Sequence, residues 1–444
     1  MSMFTPGRGV LVAISVLALS APRTAIADAI TAGPLDRTTV LREAVARHPS
    51  VAAADQRARA TAFTASAAGK LPPPEVMLQI WQVPIAKPYA ISNAGMVMVG
   101  VGQSFPAPGA RGARESAGNE LAAAERAMVQ DRVRILRRDA DHAFADYVEA
   151  TARHRIHVEH RAIAARALEV ARARLGAGAP LTDVTQAEVE LARVEADVIG
   201  DRSRMIGARG RLNALLARDV NAPLGPPVSG EAETAAWDLR ESMAKALTVR
   251  PEVRAAAATK RGRIEEARAA KKEATLPSFS VAALYFAPVG MMPVHGYGAN
   301  ASMSLPWLWG DASARGEAAD AQALAARRDA EAATIPVTAE VAQADTNRLA
   351  AALRLQALRD RAVPATKRSF EVVWAGYETG RVDILTLLSA QRAVVDVESE
   401  VVAARASLDH ALAELDAAVG QEVPRRPLGP LTDSMLQGGD DDGR

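Results

Sequence analysis

The sequence predicts a mainly α-helical chain with a small β part, built from duplicated long coiled-coil helices and two β-hairpins. Three observations predict it. The chain has 444 residues and is only 4% aromatic, which is few rings for several globular cores, since such cores draw on large aromatic side chains. Heptad-spaced apolar residues run through long Ala/Arg/Glu-rich stretches. Two windows, 75–105 and 278–309, hold only two charged residues, Glu75 and Lys87, yet carry nine of the 17 rings.

Composition excludes several functions. The absence of Cys removes disulfides, thiolate metal sites, a Cys nucleophile and a lipid-modified N-terminal Cys. Lys+Arg 53 against Asp+Glu 52 leaves no basic excess for nucleic acid. With no phosphate-cradling Gly loop, HExxH or nucleophile elbow, the expectation is a protein that is not an enzyme and needs no cofactor.

Residues 1–27 combine Arg8, an apolar run from Val10 to Leu19 and the triplet Ala25-Ile26-Ala27, the three parts of a secretory signal peptide. Its loss takes the net charge from +1 to −1. Two repeats follow, expected at 28–225 and 226–422, with 423–444 as a disordered tail. His48-Pro49-Ser50-Val51 matches Arg250-Pro251-Glu252-Val253, and Leu71-Pro72 matches Leu276-Pro277. Val184, Leu191, Val198, Met205 and Leu212 recur every seven residues. Their counterparts 203 residues on are Leu387, Val394, Val401, Leu408 and Leu415. Each repeat reads as a first helix (about 36–70 and 237–274), a charge-poor window, a long helix, a Gly turn and a second long helix. Residues 112–175 would reach about 96 Å if wholly helical. Pro336 and Pro364 should break or kink the matching stretch.

Each window is punctuated by Pro and Gly near its middle, which suggests two strands and a loop. Tyr297, Ala299, Ala301, Met303 and Leu305 alternate with Gly298, Asn300, Ser302 and Ser304, the dyad of a barrel strand between lipid and a wet lumen. Trp81, Tyr297, Trp307 and Trp309 would form the aromatic girdle at the membrane interface. Four strands cannot close a barrel whose minimum is eight, so a spanning protein must oligomerise, each copy lending four strands to a barrel surrounded by membrane lipid.

The order and duplication of these features resemble the TolC-like outer-membrane efflux channel family over roughly residues 36–420. The motifs are LREAVARHPSV and MAKALTVRPEV, GVGQSFPAPGARGAR and SMSLPWLWGDASARG, and AGYETGRVDILTLLSAQ. The resemblance implies a homotrimer with a shared 12-stranded transmembrane β-barrel and a trimeric α-barrel crossing the periplasm of a Gram-negative bacterium. It also implies docking on a periplasmic adaptor protein and an inner-membrane proton-driven pump. The stretch from Met96 to Gly109 resembles the heavy-metal cation branch. By resemblance the turns containing Gly176, Gly178, Gly376 and Gly380 are adaptor-docking helix tips where the tunnel narrows. There, Asp183, Glu378 and Asp383, if inward-facing in three copies, would make an acidic periplasmic gate; Asp183 and Asp383 could equally stabilise helix N-termini.

Two clusters stay open between metal contact and ordinary packing: His154, His157 and His160 with His142 upstream, and Met77, Met96, Met98, Met291, Met292 and Met303. The expected function is a passive outer-membrane channel of a tripartite efflux system, with heavy-metal cations as the expected substrate. The alternatives are a duct for drugs or type I protein secretion and a soluble periplasmic coiled-coil scaffold.

Overall fold

The computed structural model describes residues 33–432 except 84, 87, 90–93, 177, 288–293 and 309. The expected signal segment, Met291, Met292 and Trp309 therefore lie outside the described residues. Helix α1 (Arg37–Arg47) begins at Asp36, whose side chain accepts the Thr39 N–H, and α2 (Pro49–Ala68) follows after His48 alone. The second repeat starts the same way: Asp238 and Glu241 form a capping box for α5 (Leu239–Val249), and α6 (Pro251–Thr275) follows Arg250. The single first helix expected in each half is thus two. His48 and Arg250 adopt ψ of 123° and 127°, because the ring of a following Pro disfavours the α conformation in the residue before it.

Strands β1 (Glu75–Trp81) and β2 (Met96–Phe105) precede α3 (Ala110–Leu175) and α4 (Leu181–Leu215). At 66 residues α3 is about 99 Å long. After a short β3 (Glu233–Ala235) and α5–α6 come β4 (Ser278–Ala287), β5 (Gly296–Ser304) and α7 (Asp311–Ala332). The counterpart of α3 is broken between Ala332 and Ile335, where α8 (Ile335–Ala357) starts with Pro336 in its first turn. Pro364 does not stop the chain; a π-helical turn, Leu358–Ala362, joins α8 to α9 (Val363–Glu378). Such a turn absorbs the hydrogen bond that a Pro cannot make. Helix α10 (Ile384–Val419) completes the helical set.

Each half has its own core where three helices meet. In the first, Val40 and Leu41 of α1 pack with Leu136, Phe144 and Tyr147 of α3 and Leu212 of α4. In the second, Ala246 of α5 packs with Val337, Val341 and Leu355 of α8 and Leu408 and Leu415 of α10. The chain expected to be disordered from 423 is ordered at its start. Val423 is buried, and β6 (Arg425–Pro427) pairs antiparallel with β3. The reason is local: Asp416 accepts the Val423 N–H at 2.8 Å and pairs with Arg425. Among the described residues no helix is long and apolar enough to cross a membrane.

Candidate functional site: sheet faces and helix tips

The four long strands form one antiparallel sheet in the order β1-β2-β4-β5, and among the described residues one edge of β1 and one of β5 are unpaired. Register decides its two faces. Val76, Leu78 and Ile80 lie opposite Val101, Val99 and Val97. These in turn face Ala283, Tyr285 and Ala287, while Phe105 faces Phe279. Across β4, Phe279, Val281, Ala283 and Tyr285 face Met303, Ala301, Ala299 and Tyr297. Since side chains alternate along a strand, these residues share one face, on which Gln103 is the single polar side chain. That face is open to solvent, with Val76 78% and Tyr297 93% exposed. A soluble protein rarely exposes so wide an apolar patch.

The opposite face carries Gln79, Ser104, Ser278, Ser280, Asn300, Ser302 and Ser304 beside Met77, Met96, Met98, Leu284 and Phe286. Its serines pair across strands, Ser278 Oγ to Ser304 Oγ at 2.6 Å and Ser280 Oγ to Ser302 Oγ at 2.7 Å. Side chains on this face cover glycines. A Cβ at Gly298 would come within 2.9 Å of Phe286 Cε2, so only Gly lets that ring lie across β5. The sheet therefore has one exposed face that is apolar except for Gln103 and one mixed face crowded at its glycines.

Of the four aromatics expected at the interface, Tyr297 is on the apolar face and Trp307 is half exposed in the turn after β5. Trp81 differs: opposite Met96, it falls on the mixed face with Met77 and Gln79. Odd and even positions of a strand cannot share a face, which separates Trp81 from the Val76–Leu78–Ile80 set. The aromatic pairs that do sit across strands on the apolar face are Phe105–Phe279 and Tyr285–Tyr297. Only the register reveals them.

At the far end of α3 the turns come together. Gly178 (φ 95°) and Gly380 (φ 76°) take left-handed conformations, whereas Gly176 ends α3 with a right-handed one and Gly376 sits within α9. The turn at 376–382 is closed by Gly380 N–H donating to Tyr377 O at 3.0 Å and Arg381 N–H to Gly376 O at 2.9 Å. Arg174, beside the first turn, joins the second: its guanidinium lies 4.5 Å over the Tyr377 ring and donates to Tyr377 O at 3.2 Å. Arg166 repeats the contact over Trp374 at 5.3 Å. Tyr377 is wholly buried with Ala167, Ile384, Leu387 and Leu388. Burial pushes its phenol up, and Asp183 reinforces the shift. The two tips are thus held as one body through Arg166 and Arg174, which neither turn motif contains.

The three acids have separate environments. Asp383 caps α10, accepting the Thr386 N–H at 2.8 Å and its hydroxyl at 3.1 Å. Those bonds hold its carboxyl below the usual range. Glu378 accepts from Trp374 Nε1 at 2.9 Å and lies 3.5 Å from Arg166. Asp183 stands in the first turn of α4.

The histidines do not converge either. His157 pairs with Asp201 of α4, His160 Nε2 lies 3.0 Å from Glu398 of α10, and His142 packs on His410. Asp201 is buried in α4, where it meets His157 and Arg204. Among the described residues no group of three or more His, Cys, Asp or Glu is placed to hold a metal ion.

Residues 243–421 match the family described as outer membrane efflux protein. No curated protein matches the chain. Among solved structures, VceC from Vibrio cholerae is 16% identical, with 87% of this chain and 96% of that one covered at a TM-score of 0.69. The open-state MtrE channel of Neisseria gonorrhoeae is 20% identical, covering 87% and 89% at 0.66. CusC is 17% identical, covering 87% and 92% at 0.71. The matched family and these structures are channels and not enzymes. Residues 243–421 are thus similar to the outer membrane efflux protein family, and the chain as a whole has the fold of the solved outer-membrane channels.

Proposed function

We propose that the chain is one protomer of a passive outer-membrane channel in a tripartite efflux system of a Gram-negative bacterium. The observation that carries this reading is the sheet, with its exposed apolar face, its mixed serine-rich face and its two unpaired edges. Lipid covers the apolar face, and the edges of β1 and β5 pair with neighbouring copies. Three copies supply twelve strands, and their long helices continue the duct through the periplasm. Export by the N-terminal signal at 1–27 delivers the two repeats, 28–225 and 226–422, to that site. An exposed face of valines and aromatics speaks against the soluble scaffold.

The joined tips at Gly176, Gly178, Gly376 and Gly380 receive the adaptor, which links the channel to an inner-membrane proton-driven pump. Asp183, Glu378 and Asp383 stand around those tips and form the periplasmic gate, with Tyr297, Trp307 and Trp309 at the membrane interface and Trp81 turned to the duct. Heavy-metal cations are the favoured substrate, on the resemblance of Met96–Gly109 to the cation branch. The test is conductance and ion selectivity of purified protein in planar bilayers. Cation-selective conductance, with loss of metal resistance in cells lacking the gene, supports the reading. A protein recovered in the soluble periplasm without detergent, or silent in bilayers, overturns it.

A further inference from the structure

Helices α3 and α10 run antiparallel, and at one level each carries a His followed four residues later by a carboxylate: His142 and Asp146 on α3, His410 and Glu414 on α10. The imidazoles pack with centroids 4.6 Å apart. His142 Nε2 lies 3.3 Å from the His410 carbonyl and 3.4 Å from Glu414 Oε1. His410 Nε2 lies 3.3 Å from the His142 carbonyl and 3.1 Å from Asp146 Oδ1. Every partner of the two Nε2 atoms is an acceptor, so both rings serve as Nε2–H donors, and protonation adds a proton at Nδ1.

We propose that the His142–His410 pair is a proton-operated latch between α3 and α10 that holds the helices tightest with one proton and loosens with none or two. This rests on the channel reading only for its consequence, the firmness with which α10 holds the tip that begins at Asp383. The latch itself is a property of the two helices.

The surroundings set the two rings apart. Asp146, helped by the backbone of His142 and by Asp409, raises the His410 imidazole. Burial, then the neighbouring His410, lowers that of His142, while Glu414 acts against them and Arg138 with them. The other charges around the pair are Arg211 of α4, which lies 3.5 Å from Asp146, and Arg405, which pairs with Asp409. A group raised in the fold contributes stability below its unfolded value and loses it as pH rises through the folded one. A lowered His contributes above its unfolded value and loses that as pH falls through the folded one. His410 therefore weakens the contact on the alkaline side of the ordinary imidazole value of 6.5, and His142 weakens it on the acid side. The second proton also places two cations 4.6 Å apart.

The chain has no Cys, so spin labels can be placed at will. Labels at Arg137→Cys on α3 and Ser407→Cys on α10, in the full-length protein in nanodiscs, report the α3–α10 distance by pulsed electron resonance between about pH 5 and 8. The expected distance distribution is narrowest near the middle of that range and broadens on both sides. His142→Gln, which keeps an N–H donor for the His410 carbonyl, should abolish the acid broadening alone. His410→Gln should abolish the alkaline broadening. A wild-type profile that is flat or changes in one direction, an acid limb surviving in His142→Gln, or a profile altered by a chelator would each overturn the latch. Loss of bilayer conductance with an intact bell-shaped profile would overturn the channel reading and leave the latch standing.

Discussion

Glu398 on α10 ties three helices together: it accepts from His160 Nε2 of α3 at 3.0 Å and pairs with Lys367 Nζ of α9 at 2.7 Å. The His160 hydrogen bond, followed by Lys367, holds its carboxyl at about 2 instead of 4.5, against the opposing effect of burial. That gap of about 2.5 pH units, at about 1.4 kcal/mol each, corresponds to about 3 kcal/mol. The Glu398 side chain is 21% exposed and Lys367 52%, so solvent screening reduces the figure to about 2 kcal/mol. Because the pKa is depressed, this stability is complete above 4.5 and is lost as pH falls through 2. Glu398→Gln keeps the shape and removes the charge. Its amide protons on α9 and α10 should exchange faster at pH 7 by an amount equal to about 2 kcal/mol, and the gap to wild type should narrow below pH 4.5, to about half or less at pH 3. A gap of the same size at pH 3 and pH 7, or none at pH 7, would refute the reasoning.

Three further outcomes are expected. Gly380→Ala meets nothing nearer than Arg174 Nη2 at 3.7 Å, so its cost is the left-handed backbone alone, about 1–2 kcal/mol in thermal unfolding; a much larger fall would mean the tip packs differently. Val101→Arg on the apolar face should cost about 2–4 kcal/mol in urea unfolding from bilayers, while Ser302→Ala on the other face stays within about 1 kcal/mol; equal costs would show the faces to be misassigned. The buried Tyr377 hydroxyl has no hydrogen-bond partner among the described residues, so Tyr377→Phe should be nearly neutral, whereas Arg174→Ala should speed exchange across 370–390 by about 1–2 kcal/mol; equal effects would deny Arg174 its role.

Local periodicity was legible at once. The alternation of Tyr297, Ala299, Ala301 and Met303 is the apolar face of β5, and the seven-residue stripes from Val184 and Leu387 are the inner sides of α4 and α10, with Leu212, Leu387, Leu408 and Leu415 fully buried. The clustering of His154, His157 and His160 misleads, because three residues advance a helix by about 300° and His154 and His160 end about 120° apart. They serve different neighbours for that reason. Trp81 misleads in the same way, by one residue of strand parity. The tail beyond 423 read as disordered from its polar, Gly-rich end, yet Asp416 anchors its first residues.

The sequence by itself determined the kinds and lengths of the elements, the scarcity of rings and the apolar face of β5, since each depends on residues a few positions apart. It also determined the break at Pro336, whereas those at Pro49 and Pro251 fall inside stretches expected as single helices. Only the tertiary structure decided which elements meet. Arg174 reaches Tyr377 across 203 positions, His142 reaches His410 across 268, and Arg37 reaches Asp141 across 104 and Glu422 across 385. No local period encodes such pairings. They arise because a helix about 99 Å long runs past both halves of the molecule and presents a different set of partners at each level along its length.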